Sequence, residues 1–256
     1  MMKTATDKMW NLTPDQWSSV LDSRADPADV AARLKKAGLF VPWSQVLVEE
    51  TADCVSTMDL GCGRGEHSAV LARAGRETIL VDWSLPNLNF CRGMYDSLGL
   101  HGKFCRADIT RPLPFDANSV DVVFSCGVFE YFNASQIDAI MREAFRVARR
   151  RVIIMVPNAS AIAYRLGKWY MERVGTWKWG GEVPSYTARG AFEAAHARAI
   201  REFSVGGRHS VDFLAALPGG EHAVNLLTRT LRLTRHPRPS RFRQGYLLVT
   251  IGEKPA

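Results

Sequence analysis

A glycine-rich turn followed by an acidic residue is the part of this sequence best suited to holding a ligand. Three glycines alternate in the segment Asp59–Gly65, directly after an apolar run that predicts a strand. Glycine permits a tight turn and lets the backbone come close to a bound molecule. Asp82 ends the next apolar run, 21 residues after Gly61. At about this spacing in a βαβ unit, a carboxylate binds the two hydroxyls of a ribose.

The positions of these glycines argue against a dinucleotide. The dinucleotide-binding pattern is Gly-x-Gly-x-x-Gly, whereas Gly65 comes one residue early and Glu66 stands where a glycine is required. A carboxylate beside a pyrophosphate would be repelled. The alternative interpretation of the segment is a plain strand-to-helix turn that binds nothing.

Strands and helices alternate between residues 55 and 157, which predicts a parallel sheet. Val120–Cys126 is apolar on both faces, as expected for a central strand. Asp59, Asp82 and Asp108 each accompany the end of a separate strand. Because ligands of open α/β sheets bind outside the carboxyl ends of the strands, these acids are expected to share one site.

Four blocks of the chain resemble the class I S-adenosylmethionine (SAM)-dependent methyltransferases. The blocks are Met58–Gly65, Leu80–Ser84, Arg106–Ile109 with Leu113–Phe115, and Val120–Phe132, and the ending Gly245–Pro255 resembles the last strand of the family. The resemblance implies a Rossmann-like α/β fold. Its sheet would have seven mostly parallel strands, the last one antiparallel, with helices on both faces.

The resemblance implies SAM-binding roles for eleven residues, with S-adenosylhomocysteine (SAH) as the product. These are Asp59, Gly61, Cys62, Gly63, Gly65, Asp82, Trp83, Asp108, Ile109, Ser125 and Cys126. By this resemblance the Gly61–Gly65 backbone would line the methionine part, and Asp59 would orient its ammonium group. Ser125 and Cys126 would face the sulfonium.

The remaining four positions would hold the nucleoside. The resemblance assigns the ribose to Asp82 and the adenine face to Trp83. Asp108 would accept from the exocyclic amine, and the Ile109 backbone would contact the ring edge. Ordinary strand-end acids at Asp59 and Asp82, a turn cap at Asp108 and core packing at Trp83 are the alternatives.

The chain is expected to form a single domain over residues 1–256. Residues 1–50 are interpreted as a helical lid, with helix starts at Thr13-Pro14 and Asp26-Pro27. Residues 51–157 are the SAM-binding core, 158–198 a helical substrate-cap insertion, and 199–256 the C-terminal part of the sheet with a helical insertion. Trp10, Trp17 and Trp43 are interpreted as packing residues, with Trp43 the best candidate for a lid over the cofactor.

Aromatic residues are concentrated in the 158–198 insertion and suit an organic acceptor. The substrate candidates are Tyr164, Tyr170, Trp177, Trp179 and Tyr186. A helical hairpin that packs on itself explains the same pattern. Glu130 and Tyr131, just past the fourth strand, are the candidates for a general base, and a structural role for Glu130 is the stronger interpretation. The sequence predicts no metal site.

Composition points to a cytoplasmic protein, because no apolar stretch is long enough to cross a bilayer and the five cysteines form no C-x-x-C pair. The net charge is +7, and Arg229–Arg243 contains six arginines and no acid. Arg146 and Arg149–Arg151 are expected to complement a helix C-terminus.

The predicted function is methyl transfer to oxygen or nitrogen of a small molecule, such as a metabolite, a sugar or a natural-product intermediate. One alternative is an RNA methyltransferase that uses Arg229–Arg243, although a solvated helix and loop explain those arginines better. A second is a non-catalytic protein that binds SAM or a partner.

Overall fold

A computed structural model describes residues 26–37, 43–233 and 243–255 of the protein. The strands are β1 (Ser56–Leu60), β2 (Glu77–Asp82), β3 (Lys103–Arg106), β4 (Val120–Cys126), β5 (Ala148–Pro157), β6 (Arg198–Val205) and β7 (Leu247–Glu253). The α-helices are α1 (Pro27–Ala37), α2 (Ser44–Glu50), α3 (Glu66–Arg73), α4 (Leu85–Leu98), α5 (Ala134–Val147), α6 (Ile162–Arg173), α7 (Arg189–Ala194), α8 (Gly207–Asp212) and α9 (Gly220–Thr230). Phe129–Tyr131 and Phe213–Ala216 form 3₁₀ turns.

The strands form one sheet in the order β3-β2-β1-β4-β5-β7-β6. Neighbouring strands are parallel from β3 to β5, and β7 is antiparallel to both β5 and β6. The chain therefore has the predicted fold, a seven-stranded and mostly parallel sheet whose last strand is antiparallel. The strand order reverses at β1, with β2 on one side and β4 on the other. Such a reversal opens a crevice at the carboxyl ends of the strands.

Helices cover both faces of the sheet and bury its central strand. Successive side chains of a strand point to opposite faces. Val123 of β4 accordingly packs in a cluster with Ile140 of α5. Its neighbour Phe124 belongs to a second cluster, with Leu47 of α2 and Leu71 of α3. The apolar character of β4 on both faces thus reflects burial on both faces.

Helix starts follow local sequence signals. α1 begins at Pro27, as the Asp26-Pro27 pair predicts. Asn133 caps α5: its side chain accepts from the Gln136 backbone N–H, and the Gln136 side chain accepts from the Asn133 backbone N–H, both at 3.1 Å. This capping box satisfies two amide groups that the helix itself cannot. None of the described helices is long and apolar enough to span a membrane.

The predicted N-terminal lid is described only in part. Trp10, Trp17 and the helix start at Thr13-Pro14 lie outside the described residues. Trp43 precedes α2, and its buried ring packs against His209 and Tyr246, with centroids 5.1 and 5.7 Å apart. Trp43 is therefore a packing residue between α2 and the C-terminal elements.

The expectation that four arginines complement a helix C-terminus is wrong for three of them. α5 ends at Val147, and the chain enters β5 without a connecting loop, so Arg149–Arg151 belong to the strand. Arg149 pairs with Asp121 at 2.6 Å, and Arg150 and Arg151 pair with Asp53 at 2.5 and 3.0 Å. These arginines instead bind acids near the amino ends of β1 and β4.

Candidate functional site

A cavity of about 540 Å³ lies at the crevice beside β1, β2 and β4. Nine of the eleven residues predicted to bind SAM line it: Gly61, Cys62, Gly63, Gly65, Asp82, Trp83, Asp108, Ile109 and Cys126. Cavities of this size and polarity suit small-molecule ligands. Four separate segments, far apart in sequence, thus meet at one site.

The glycine-rich turn forms one wall, and its conformation explains the alternation of glycine. Gly61, Gly63 and Gly65 all have positive φ, of 73°, 51° and 68°. Residues with a side chain rarely adopt these angles. A Cβ on Gly65 would also come within 2.6 Å of the Leu80 side chain and 2.8 Å of the Cys91 sulfur. Glycine is required here both for the turn and for close packing of α3 on the sheet.

Asp82 joins this turn to the end of β2. Its Oδ2 accepts from the Gly63 N–H at 2.9 Å, and its Oδ1 accepts from the Ser84 N–H at 2.8 Å. The side chain lines the cavity although the residue is only 6% exposed. Burial raises the pKa of Asp82, and the hydrogen bonds oppose that shift. The carboxylate is thus held in place by two hydrogen bonds, and it faces the cavity although the residue is largely buried.

Both roles considered for Asp108, contact with a ligand and capping of a turn, are compatible with its position. It lines the cavity, and its Oδ1 also caps the following turn by accepting from the N–H and hydroxyl of Thr110 at 2.9 and 2.7 Å. Its other oxygen is 3.5 Å from the Arg111 guanidinium. The turn therefore fixes the side chain while leaving it at the cavity edge.

Asp59 and Ser125 do not line the cavity. Both side chains are turned into the protein: Asp59 Oδ2 accepts from the Ser68 hydroxyl at 2.8 Å, and the Ser125 hydroxyl donates to the Leu60 carbonyl at 2.7 Å. These bonds tie β1 to α3 and to β4. In the structure both residues brace the strands beneath the site.

Asp59 should make the stability of the protein depend on pH. Burial raises its pKa from 3.8 to about 7, so the folded state favours the protonated form. This contribution to stability is complete below the unfolded value and is lost as pH rises through 7. Between pH 5 and pH 8 the free energy of unfolding should fall by about 1–3 kcal/mol more in the wild type than in Asp59→Asn.

Urea unfolding at the two pH values measures this difference. Asp96→Asn, at an exposed position of α4, should leave the wild-type pH dependence unchanged. An equal fall in the wild type and Asp59→Asn would contradict the assignment.

His67, Asn87 and Gln136 are among the residues that line the cavity without having been predicted. His67 lies in the first turn of α3, and its Nδ1 is 2.9 Å from the Ser44 hydroxyl. Burial lowers the pKa of His67 to about 4, so its ring is neutral at pH 7. Its place directly after the glycine turn is the signal that could have found it. No sequence signal marks Asn87 and Gln136, because they reach the cavity from the first turns of two other helices.

One part of the cavity wall is aromatic. Tyr131, Phe132 and Trp179 line the cavity together with Val128. The Tyr131 hydroxyl donates to the Trp179 carbonyl at 3.2 Å, which joins the 3₁₀ turn after β4 to the insertion. Trp179 is 40% exposed.

The other substrate candidates lie away from the cavity. Tyr164 is fully buried, and its ring packs against Phe213 and Tyr246 with centroids 5.0 Å apart in each case. Trp177 joins this cluster at 6.2 Å from Phe213. Tyr186 is exposed and accepts from Arg165, while Tyr170 is half-buried and does not line the cavity. Of the five aromatic candidates, Trp179 is the one that faces the cavity.

Comparison with known proteins agrees with this architecture. Residues 57–151 match the family model of a methyltransferase domain. No curated protein matches the sequence. A solved SAM-dependent methyltransferase from Archaeoglobus fulgidus is similar over 90% of this chain and 96% of its own, with 16% identity and a TM-score of 0.55.

Two further structures share the fold. A chain in the complex of the Haloferax volcanii Trm112 methyltransferase activator with a methyltransferase has 19% identity and a TM-score of 0.58, over 95% of this chain and 98% of that one. A geranyl diphosphate methyltransferase in complex with sinefungin has 14% identity and a TM-score of 0.50, over 79% of this chain and 72% of that one. The matched domain spans the glycine turn, Asp82, Asp108 and β4. Residues 57–151 therefore match a methyltransferase domain, within a fold that a solved SAM-dependent methyltransferase shares.

Proposed function

We propose that this enzyme methylates an oxygen or nitrogen atom of a small molecule. The observation that supports this most strongly is the aromatic part of the cavity wall, because Tyr131, Phe132 and Trp179 line the same space as Cys126. A space of this kind fits a compact organic acceptor. The same cavity must also hold SAM, which leaves little room for a bulky partner.

The proposed position of SAM follows from the residues that line the cavity. Its ribose hydroxyls would donate to Asp82, which already lies at the cavity surface. Its adenine would lie between Trp83 and Ile109, with Asp108 at the ring edge. Its methionine part would follow the Gly61–Gly65 backbone. This places the sulfonium next to Cys126 and Gly127.

SAM supplies a methyl group on a cationic sulfur, which a nucleophile takes in an in-line displacement. The residues of the chain contribute alignment and exclusion of water, and such positioning can supply about 7–11 kcal/mol. Val128, Tyr131 and Phe132 provide the water-excluding wall. Burial raises the pKa of the Cys126 thiol well above its usual range, so Cys126 lines the site as a neutral group.

RNA methylation has less support. Of the arginines in Arg229–Arg243, the structure describes Arg229, Arg232 and Arg243, and residues 234–242 lie outside it. Arg243 pairs with Glu202 at 2.6 Å and is thereby neutralised. Arg229 and Arg232, at the C-terminal end of α9, give a polyanion only a weak basic surface.

The proposal is tested by incubating the protein with methyl-labelled SAM and a cell extract divided into small-molecule, protein and RNA fractions. Label is expected in the small-molecule fraction. Label confined to RNA or protein would contradict the proposal. SAM binding without transfer to any fraction would favour the non-catalytic alternative.

Trp179→Ala is expected to raise the KM for the labelled small molecule about 10-fold or more and to leave the Kd for SAM unchanged. The ring belongs to the aromatic part of the cavity wall, and a buried aromatic contact of this type contributes about 1.5–3 kcal/mol. Trp169→Ala removes a tryptophan of α6 that is 55% exposed and does not line the cavity, and should change neither constant. Equal effects of the two substitutions on KM would refute the role of Trp179.

A further inference from the structure

Glu130 is a buried acid without a cation. It lies in the 3₁₀ turn after β4 and is 5% exposed. Among the described residues, no hydrogen-bond donor reaches its Oε2, and no lysine, arginine or histidine forms an ion pair with it. Burying an unpaired carboxyl group is costly in either protonation state. An unsatisfied buried group calls for an explanation, and a ligand that supplies the missing partner is one.

The Glu130 carboxyl lies directly behind the cavity wall at Gly127. Gly127 lines the cavity, and an atom in the position of its missing Cβ would be 3.7 Å from Glu130 Oε1. No other atom of the described residues, apart from the chain neighbours of Gly127, lies within 4 Å of that position. The missing side chain at Gly127 therefore leaves a gap beside the Glu130 carboxyl group, at a residue that lines the cavity. Cys126 and Tyr131 line the same cavity.

A second buried acid lies near Glu130. Glu182 is 6% exposed, and its carboxyl accepts from the Tyr164 hydroxyl. The backbone joins the two acids, because the Val183 N–H donates to the Glu130 carbonyl at 3.3 Å. Repulsion between the two carboxylates adds to burial in raising the pKa of Glu130, so the free protein favours its protonated form and a cation would favour the carboxylate.

The nearest cation does not neutralise this pair. The Lys168 ammonium is bound to Glu172 and lies over the Trp177 ring, 4.5 Å from its centroid. Lys168 lowers the pKa of Glu182, whereas burial raises that pKa to about 7. The indole N–H of Trp177 also has no acceptor among the described residues. The pocket behind Gly127 is thus acidic, aromatic and short of a positive charge.

We propose that Glu130, supported by Glu182, binds the amino group of the methyl acceptor through the gap at Gly127, so that the substrates are amines. Carboxylates and aromatic rings together are the environment that an alkylammonium ion prefers. The inference rests on the proposed function and narrows its acceptor from oxygen or nitrogen to nitrogen.

The bound ammonium group must lose a proton before it can react. The amine enters in its neutral form and takes the proton of the Glu130 carboxylic acid, which forms the ion pair; before the reaction Glu130 takes this proton back, which frees the lone pair of the amine. The nitrogen then bonds to the methyl carbon as the carbon–sulfur bond breaks, and the sulfur keeps the bonding pair. The products are the protonated N-methylamine and SAH.

Binding of matched probes tests the inference without knowledge of the natural acceptor. Phenethylamine and 2-phenylethanol have the same skeleton and differ in the polar group. Calorimetric titration into the SAH-loaded protein should show that the amine binds at least 10-fold more tightly than the alcohol. Alcohol binding equal to the amine, or no binding of the amine, would overturn the inference.

Substitutions of Glu130 and Glu182 test whether these two acids cause the preference for the amine over the alcohol. Glu130→Gln keeps the shape of the side chain and should bring the amine-to-alcohol ratio close to one, with the Kd for SAH unchanged. Glu182→Gln should reduce the ratio several-fold and provides a second test if Glu130→Gln does not fold. Glu193→Gln, on the exposed side of α7, is the control and should keep the wild-type ratio. A wild-type ratio in Glu130→Gln, or in a folded Glu182→Gln if Glu130→Gln is unfolded, would refute the proposal.

The experiment with labelled SAM and cell extract distinguishes a failure of this inference from a failure of the proposed function. A labelled small molecule methylated on oxygen would overturn the amine assignment and leave the proposed function intact. Label in RNA alone would overturn the proposed function. A labelled N-methylamine supports both.

Discussion

Asp82→Ala is expected to weaken SAM binding by about 10- to 150-fold, measured by calorimetry. The substitution removes the carboxylate that we propose accepts two hydrogen bonds from the ribose, and bonds to a charged group contribute about 1.5–3 kcal/mol. It also removes the acceptor of the Gly63 N–H, which positions the glycine turn. Asp82→Asn keeps one oxygen acceptor without the charge and should have an intermediate effect.

Asp96→Asn is the matched control for the charge change, because Asp96 is exposed on α4 and does not line the cavity. It should bind SAM as the wild type does. Unchanged affinity in a folded Asp82→Ala variant would show that the ribose lies elsewhere.

Gly65→Ala should destabilise the protein by about 2–5 kcal/mol in urea unfolding. One part of this cost is the positive φ of 68°, which costs an L-residue about 1–2 kcal/mol. The other part is overlap of the new methyl group with Leu80 and Cys91, and overpacking of a core typically costs about 1–3 kcal/mol. The affinity for SAM should fall as well, because the turn forms one wall of the cavity.

Gly99→Ala separates these two costs. Gly99 has a nearly identical φ of 66°, yet a Cβ there would meet no atom within 4 Å. Its loss of stability should therefore be limited to the backbone cost of about 1–2 kcal/mol. Equal losses in the two variants would show that packing at Gly65 is looser than the structure indicates.

The sequence predicted the fold and much of the cavity lining because both depend on local signals. Alternation of strands and helices specifies a parallel sheet, and the carboxyl ends of its strands meet at one edge. Residues at strand ends, such as Asp82, Asp108 and Cys126, could therefore be placed without knowledge of any contact. The antiparallel last strand came from the resemblance of Gly245–Pro255 to the family.

The direction of individual side chains could not be predicted in the same way. Asp59 is adjacent to the glycine turn in sequence, but the alternation of β1 turns its side chain towards Ser68 and away from the cavity. Tyr164 and Trp177 resemble acceptor-binding residues in composition, yet they pack with Phe213 from a segment about 40 residues away. Contacts over such separations leave no periodic signal.

The environment of Glu130 could not be predicted from the sequence either. Its position after β4 suggested either catalysis or structure, and the sequence could not show that its carboxyl would be buried without a partner. That property depends on the 181–183 segment folding over the 3₁₀ turn and on the missing side chain of Gly127. Only the assembled structure brings these three elements together.

The position of the cofactor is best tested by a crystal structure of the complex with SAH. We expect SAH in the cavity beside β1, β2 and β4, with both ribose hydroxyls within 3.2 Å of the Asp82 carboxylate and the sulfur next to Cys126 and Gly127. SAH bound outside this cavity, or bound within it with the ribose away from Asp82, would show that the cofactor site is elsewhere.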